Sequence, residues 1–184
     1  MNESVSKINP APFTAVSAAS GRLGHAVLGA LLADIPAEHI VAIARNPAKV
    51  QVPGIGKRSG DYNTVASMAA ALAGIDTLIM ISAPVGDWDR VRMHRNVINA
   101  ARQAGVRKIV FTSVIGNGQE QDTWFWGTQQ VNRQTEADLK SSGLEWVIAR
   151  NGLYLEMDLR HILQANAAGL YRNVGGDGEC GYIT

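Results

Sequence analysis

The sequence predicts an α/β domain on a doubly wound parallel sheet, and three observations predict it. Short apolar runs alternate with longer stretches whose apolar residues recur at helical spacing. There is no run of adjacent hairpins, and strands joined by long crossovers must lie parallel. Thr77–Ile81 is apolar almost throughout, as expected of a strand covered on both faces.

The elements follow in order. Residues 1–12 carry Asn, Ser, Lys and Pro and read as a flexible leader to a single domain over 13–184. Phe13–Ser17 is a strand, a Gly-containing turn follows, and Leu23, Ala26, Val27, Ala30 and Leu31 mark a helix. Ile40–Ala44 is a second strand, with Pro47 suited to an early helical position. Pro53, Gly54 and Gly56 break up the next stretch, leaving a short third strand near Gly56–Ser59. Thr64–Leu72 is a helix, Thr77–Ile81 a strand and Asp89–Ala104 a helix. Lys108–Thr112 is then a strand, and Gln129–Ser141 a helix ended by Gly143. Trp146–Ala149 is a further strand and Tyr154–Ala168 a helix. Gly175–Gly178 is a turn, and Gly181–Thr184 reads as the start of another element.

Composition narrows the class. Of 184 residues, 46% are apolar and 18% charged, which suits a folded chain with its own core. The net charge is +1, with both signs interspersed, so no footprint for nucleic acid or an anionic membrane stands out. The lone Cys180 excludes a disulfide framework within the chain and suits a reducing compartment. The N-terminal residues lack a signal-peptide pattern, and no run is long enough to span a bilayer. A cytoplasmic location is expected. His25, His39, His94 and His161 show no metal-ligand spacing, and no metal is expected.

The chemistry centres on Val16-Ser-Ala-Ala-Ser-Gly-Arg-Leu-Gly24, between the first strand and its helix. Gly24 lets the helix pack closely, while Gly21 lets a pyrophosphate reach the amides at the helix N-terminus. Ser17, Ala19, Ser20, Gly21, Arg22 and Leu23 are therefore candidate dinucleotide-binding residues of a Rossmann-type domain. Ala18 stands where a full fingerprint has a third glycine, and two glycines alone also suit an ordinary strand-to-helix turn. An NAD site would end the second strand in a carboxylate that accepts from the ribose 2′-hydroxyl. Here the strand ends Ala44-Arg45-Asn46, and Arg45 can fork onto a 2′-phosphate, with Arg22 as a second clamp. As a solvated residue Arg45 would do neither. Asp61 and Tyr62 fall near the adenine on this reading, or else form a turn or helix cap.

These residues together resemble the NmrA-like branch of the atypical short-chain dehydrogenase/reductases, including bacterial NAD(P)H:quinone oxidoreductases and triphenylmethane reductases. The resemblance is carried by Ser20-Gly-Arg-Leu-Gly-His25, Ile40-Val-Ala-Ile-Ala-Arg-Asn-Pro-Ala-Lys49, Gly60-Asp-Tyr62 and His94-Arg-Asn-Val-Ile-Asn-Ala-Ala101. Thr112-Ser113, Thr135-Glu136 and Arg150-Asn-Gly-Leu-Tyr154 extend it. It implies NADPH as cofactor, Ser82 and Ala83 beside the ribose, and Ser113 with Asn151, Gly152 and Leu153 near the nicotinamide. It also implies that the chain lacks most of a C-terminal substrate lobe.

Where many short-chain reductases carry Tyr and Lys four residues apart, this chain reads Gln130-Val-Asn-Arg-Gln134. No catalytic side chain is therefore assigned. An acceptor that draws hydride by its own electron demand, such as a quinone, fits a site poor in acids. Trp88, Trp124, Trp126 and Tyr154 are candidate walls for a flat acceptor, or pack under another lobe or subunit. His94, among apolar helix positions, reads as a packed or surface histidine rather than a proton donor. The expected function is NADPH-dependent reduction of a quinone-like small molecule. The alternative is a non-catalytic NADPH sensor of the NmrA type acting on a protein partner. An isomerase or dehydratase is disfavoured, because those chemistries need the missing Tyr/Lys pair. A homo-oligomer stays open.

Overall fold

The structure, a computed structural model, describes residues 12–83, 87–116, 118, 121–123, 125–170 and 182–183. Six strands form one parallel sheet: β1 (Thr14–Val16), β2 (Ile40–Ala44), β3 (Gly56–Ser59), β4 (Thr77–Met80), β5 (Lys108–Val114) and β6 (Glu145–Asn151). Their order is β3-β2-β1-β4-β5-β6, the doubly wound arrangement expected. The helices are α1 (Arg22–Leu31), α2 (Val65–Ala71), α3 (Asp87–Ala104), α4 (Trp126–Lys140) and α5 (Leu155–Ala168). A separate two-stranded parallel ribbon pairs β7 (Leu153–Tyr154) with β8 (Tyr182–Ile183), where the sequence predicts a helix from Tyr154.

The sheet buries both faces because its central strands are apolar at successive positions. On one face Ala15, Val41, Ile43, Leu78, Met80, Ile109 and Phe111 pack against α2, α3 and Leu139 of α4. On the other, Val16, Ile40, Ala42 and Ala44 pack against Leu28 of α1, with Val50 and Ile55. Each fully buried large aliphatic contributes roughly 1.5–3 kcal/mol over its exposed state. Cover thins toward β6, where Trp146 and Val147 are 44% and 47% exposed.

Element ends shift by a residue or two from the sequence expectation, and three differences are larger. The link from β2 to β3 contains only a 3-10 turn, Pro47–Lys49, so this crossover lacks an α-helix. Pro53 and the glycines around it leave no apolar helical stripe there. Helix α4 begins at Trp126 rather than Gln129, and β6 runs on to Asn151, paired through to Val114. Most of the 1–12 leader, the Gly175–Gly178 turn and Cys180 lie outside the described residues. Among the described residues no helix is long and apolar enough to cross a membrane.

Helix α1 lies against the turn that follows β1 at Gly24. A Cβ there would stand 2.7 Å from the Ala19 Cα and 2.8 Å from the Ala18 carbonyl oxygen, both backbone atoms that cannot swing away. Gly29, in the same helix, has nothing within 4 Å. Gly24→Ala is therefore expected to lower the urea-measured stability by about 3 kcal/mol. Gly29→Ala should raise it by ~0.5–1 kcal/mol through helix propensity.

Candidate functional site

The strand order reverses between β1 and β4, so the connections leaving their C-terminal ends diverge and open a crevice. The turn after β1 is pinned on both sides. The Ser17 amide donates to the Ile79 carbonyl (3.0 Å) and the Ala19 amide to that of Ile43 (3.1 Å). Ala18 takes φ +51°, the left-handed conformation that glycine adopts freely and other residues at a cost of ~1–2 kcal/mol. This is the position where the fingerprint glycine is absent. Gly21 then precedes α1 with no side chain among the described residues capping its amides and no acid in the first turn. The positive end of the helix is thus left to whatever anion approaches it.

A cleft of about 250 Å³ is lined by Ala18, Ser20, Gly21, Ala44, Arg45, Gly60, Asp61, Tyr62, Ala83 and Met93. It is smaller than the roughly 300–1,000 Å³ of a drug-sized ligand pocket, which suits part of a dinucleotide rather than the whole. It unites six of the predicted residues: Ser20, Gly21, Arg45, Asp61, Tyr62 and Ala83. Arg45 is exposed, and nothing among the described residues bonds its guanidinium; only its carbonyl is engaged, by Ser59 Oγ at 3.5 Å. Arg22 is exposed at the start of α1, and Leu23 is half-buried beside it. Asp61 Oδ1 accepts from the Asn63 amide at 2.9 Å, forming the turn given as its other reading.

Two predicted residues work differently from expectation. Tyr62 is buried, and its hydroxyl donates to the Ile81 carbonyl (2.9 Å) and shares a 2.5 Å hydrogen bond with Ser17 Oγ. Burial pushes the phenol above its ordinary pKa, and the Ser17 bond only partly offsets this. The ring is thus a wall and a tether, and its hydroxyl is not free for a base. Ser113 is buried and donates to Glu136 Oε1 at 2.5 Å, so its proton is already committed.

Glu136 is the centre of a network that sequence reasoning left without a role. Its carboxylate accepts from Arg133 Nη1 (2.7 Å) and from Arg150 Nε (3.0 Å) and Nη2 (2.6 Å) as well as from Ser113. Arg133 also donates to the carbonyls of Val114 (3.0 Å) and Gly116 (3.2 Å), and Gln129 to that of Ile115 (3.2 Å). The polar inner face of α4 therefore fixes the segment leaving β5. Burial pushes the Glu136 pKa up, but the hydrogen bonds from Arg150 and Ser113 and the two guanidinium charges outweigh it and hold it low. The available signal was Gln129, Asn132, Thr135 and Glu136 at the positions where a helix over a sheet should be apolar.

The remaining predicted residues are spread out. Asn151 Nδ2 donates to the Tyr154 hydroxyl at 3.0 Å, and Gly152 and Leu153 follow β6. Ser82 leaves β4 beside Ala83, its amide donating to Thr112 Oγ1 at 3.1 Å. Trp126 opens α4 and is half-buried. Trp88 falls within α3 but its side chain, like that of Leu153, lies outside the described set, and so does Trp124. Neither Trp126 nor Tyr154 lines the Arg45 cleft. His94 is packed, wholly buried between Tyr62 and Phe111. A larger hollow between α3 and α4, lined by Val91, Arg95, Gln130 and Gln134 among others, holds none of the predicted residues.

A glycine-bearing turn feeding an uncapped helix, set at the strand-order reversal of a doubly wound sheet, defines a dinucleotide-binding domain. The chain belongs to the NAD(P)H-binding family, whose model matches residues 18–169. It is 40% identical to quinone oxidoreductase 2 of Escherichia coli over 174 residues, covering 92% of this chain and 59% of that protein. The crystal structure of the NADPH-dependent quinone oxidoreductase of Escherichia coli complexed with NADPH superposes with a TM-score of 0.81 at 40% identity, covering 90% of this chain and 58% of that one. A Citrobacter triphenylmethane reductase gives a TM-score of 0.81 at 32% identity over the same shares of each chain. The chain thus spans less than two thirds of the length of these relatives, and the resemblance to NmrA-like reductases holds across most of it.

Glu136→Gln is expected to cost about 2 kcal/mol at neutral pH in urea denaturation, as hydrogen bonds to a charged acceptor are lost. The carboxyl is held below its ordinary value of 4.5. Its ionised form therefore stabilises the fold above that value and ceases to as pH falls through the folded pKa. The gap between wild type and variant should shrink on acidification below 4.5.

Proposed function

We propose that this chain, over residues 13–184, is the dinucleotide-binding domain of an NADPH-dependent reductase that passes hydride to a quinone or similar conjugated acceptor. The observation that carries the reading is Arg45: an exposed guanidinium on the cleft wall at the end of β2, with no anion bonded to it among the described residues. A carboxylate at this place would hold a ribose 2′-hydroxyl, whereas a guanidinium attracts a 2′-phosphate by paired charged hydrogen bonds. The similarity to an Escherichia coli enzyme crystallised with NADPH supports the same choice.

The residues present fit that cofactor. The uncapped amides after Gly21 would take the pyrophosphate, Arg45 and Arg22 the 2′-phosphate, and Asp61 with the Tyr62 ring the adenine side. Ser17, Ala19, Ser20 and Leu23 shape the turn. Ser82 and Ala83 would meet a ribose, and Ser113 with Asn151, Gly152 and Leu153 the nicotinamide end. When bound, the reduced nicotinamide supplies hydride. Ser113 offers lone pairs rather than a proton there, because Glu136 holds its hydrogen. Gln130 and Gln134, at the places of the usual Tyr and Lys, are exposed amides with no acid–base role. The chain therefore orients the partners and leaves proton supply to solvent, which suits an electron-poor acceptor better than a simple alcohol or ketone.

Anaerobic mixing of the protein, with any residues that follow Thr184 included, with NADPH and a panel of quinones is expected to oxidise NADPH; no oxidation with any acceptor would overturn the reductase reading. Arg45→Ala should weaken NADPH binding by about 1.5–3 kcal/mol and spare NADH, measured by titration. Equal weakening of both would remove the 2′-phosphate assignment.

A further inference from the structure

The segment after β4 is held by side chains rather than by a sheet or helix. The Ile81 amide donates to Ser17 Oγ at 3.4 Å, the Ser82 amide to Thr112 Oγ1 at 3.1 Å and the Ala83 amide to His94 Nε2 at 3.0 Å. The Tyr62 hydroxyl holds the Ile81 carbonyl. A hydroxyl can turn its lone pairs toward an amide, but an imidazole nitrogen accepts only in the tautomer that leaves it unprotonated.

The tautomer of His94 is set from α4. His94 Nδ1 lies 2.8 Å from Thr135 Oγ1, and that hydroxyl donates its own proton to the Val131 carbonyl at 2.9 Å. Thr135 can then only accept, so Nδ1 carries the imidazole proton and Nε2 presents its lone pair to Ala83. The hydrogen bonds run in one direction: Ala83 amide to His94, His94 to Thr135, Thr135 to Val131. The ring is wholly buried, with Phe111 at 5.4 Å and Tyr62 at 6.5 Å between centroids, and burial, helped by the Arg90 charge, pushes its pKa down to about 3. No bulk water reaches it to exchange for a lost partner.

We propose that Thr135 selects the His94 tautomer that holds the Ala83 amide, and so sets from α4 the backbone that receives the ribose of the dinucleotide. His94 and Thr135 are positioning residues that act through Ala83. The ribose part rests on the cofactor reading given above, whereas the hydrogen-bond chain stands independently of it. In Thr135→Val the ring must either bury an unpaired Nδ1–H or move its proton to Nε2, where it opposes the Ala83 N–H. The second choice frees the loop.

Nitrogen-15 NMR of histidine-labelled protein without ligand reads the tautomer, amide exchange reads Ala83, and titration reads NADPH affinity. The expected result is an Nδ1–H ring in wild type and Thr135→Ser. In Thr135→Val the ring switches to Nε2–H, Ala83 exchange rises at least tenfold, and NADPH affinity falls about tenfold, with Ser restoring all three. An Nε2–H ring in wild type overturns the proposal without need of any variant. So does Thr135→Val with wild-type tautomer and exchange. If tautomer and exchange shift but wild type and Val bind NADPH equally, the ribose role is overturned. If tautomer and exchange shift while no form binds dinucleotide, the hydrogen-bond chain is upheld and the cofactor reading of the crevice falls.

Discussion

Everything at the site depends on the reversal of strand order between β1 and β4. Right-handed crossovers send the chain from β1 outward over one face and from β4 outward over the other, so the two connections diverge from the ends of these neighbours. The gap draws Ala44 and Arg45, Gly60 and Asp61, and Ala83 onto one cleft from strands far apart in sequence. Gly24 keeps the geometry tight by letting α1 lie against the turn it follows.

Around that gap the arginines fall into two groups with different consequences. Arg133 and Arg150 are spent on Glu136, and their charges hold the exits of β5 and β6 in place. Arg45 on the cleft wall and Arg22 at the start of α1 are exposed, and no described residue bonds either guanidinium. A guanidinium on a surface gains little from stray partners, since exposed ion pairs contribute roughly 0–1 kcal/mol. Placed beside uncapped helix amides, the same group gains most from a ligand bearing two phosphate centres.

The sheet was legible because buried parallel strands must be apolar on both sides. Ile40–Ala44 and Gly56–Ser59 fall where the sequence reading put them, and Arg45 and Gly21 could be placed by counting from the first strand. Helix α4 was legible only in part, because its inward face carries Gln129, Asn132, Thr135 and Glu136 and gives no apolar stripe. The roles of Tyr62 and Ser113 were hidden for a related reason. Ser17 and Tyr62 are 45 positions apart, and Ser113 and Glu136 23 apart, and a polar pair in a fold interior leaves no periodicity to read. Ala18 was visible as a departure from a pattern, while its left-handed backbone was not.

The central claim is that Arg45 makes this crevice selective for a phosphorylated ribose. Calorimetric titration of the unaltered chain with adenosine 2′,5′-bisphosphate and with adenosine 5′-monophosphate tests it without any acceptor or hydride chemistry. The account predicts at least about tenfold tighter binding of the bisphosphate, a difference of roughly 1.4 kcal/mol. Equal affinity for the two, or tighter binding of the monophosphate, would contradict it.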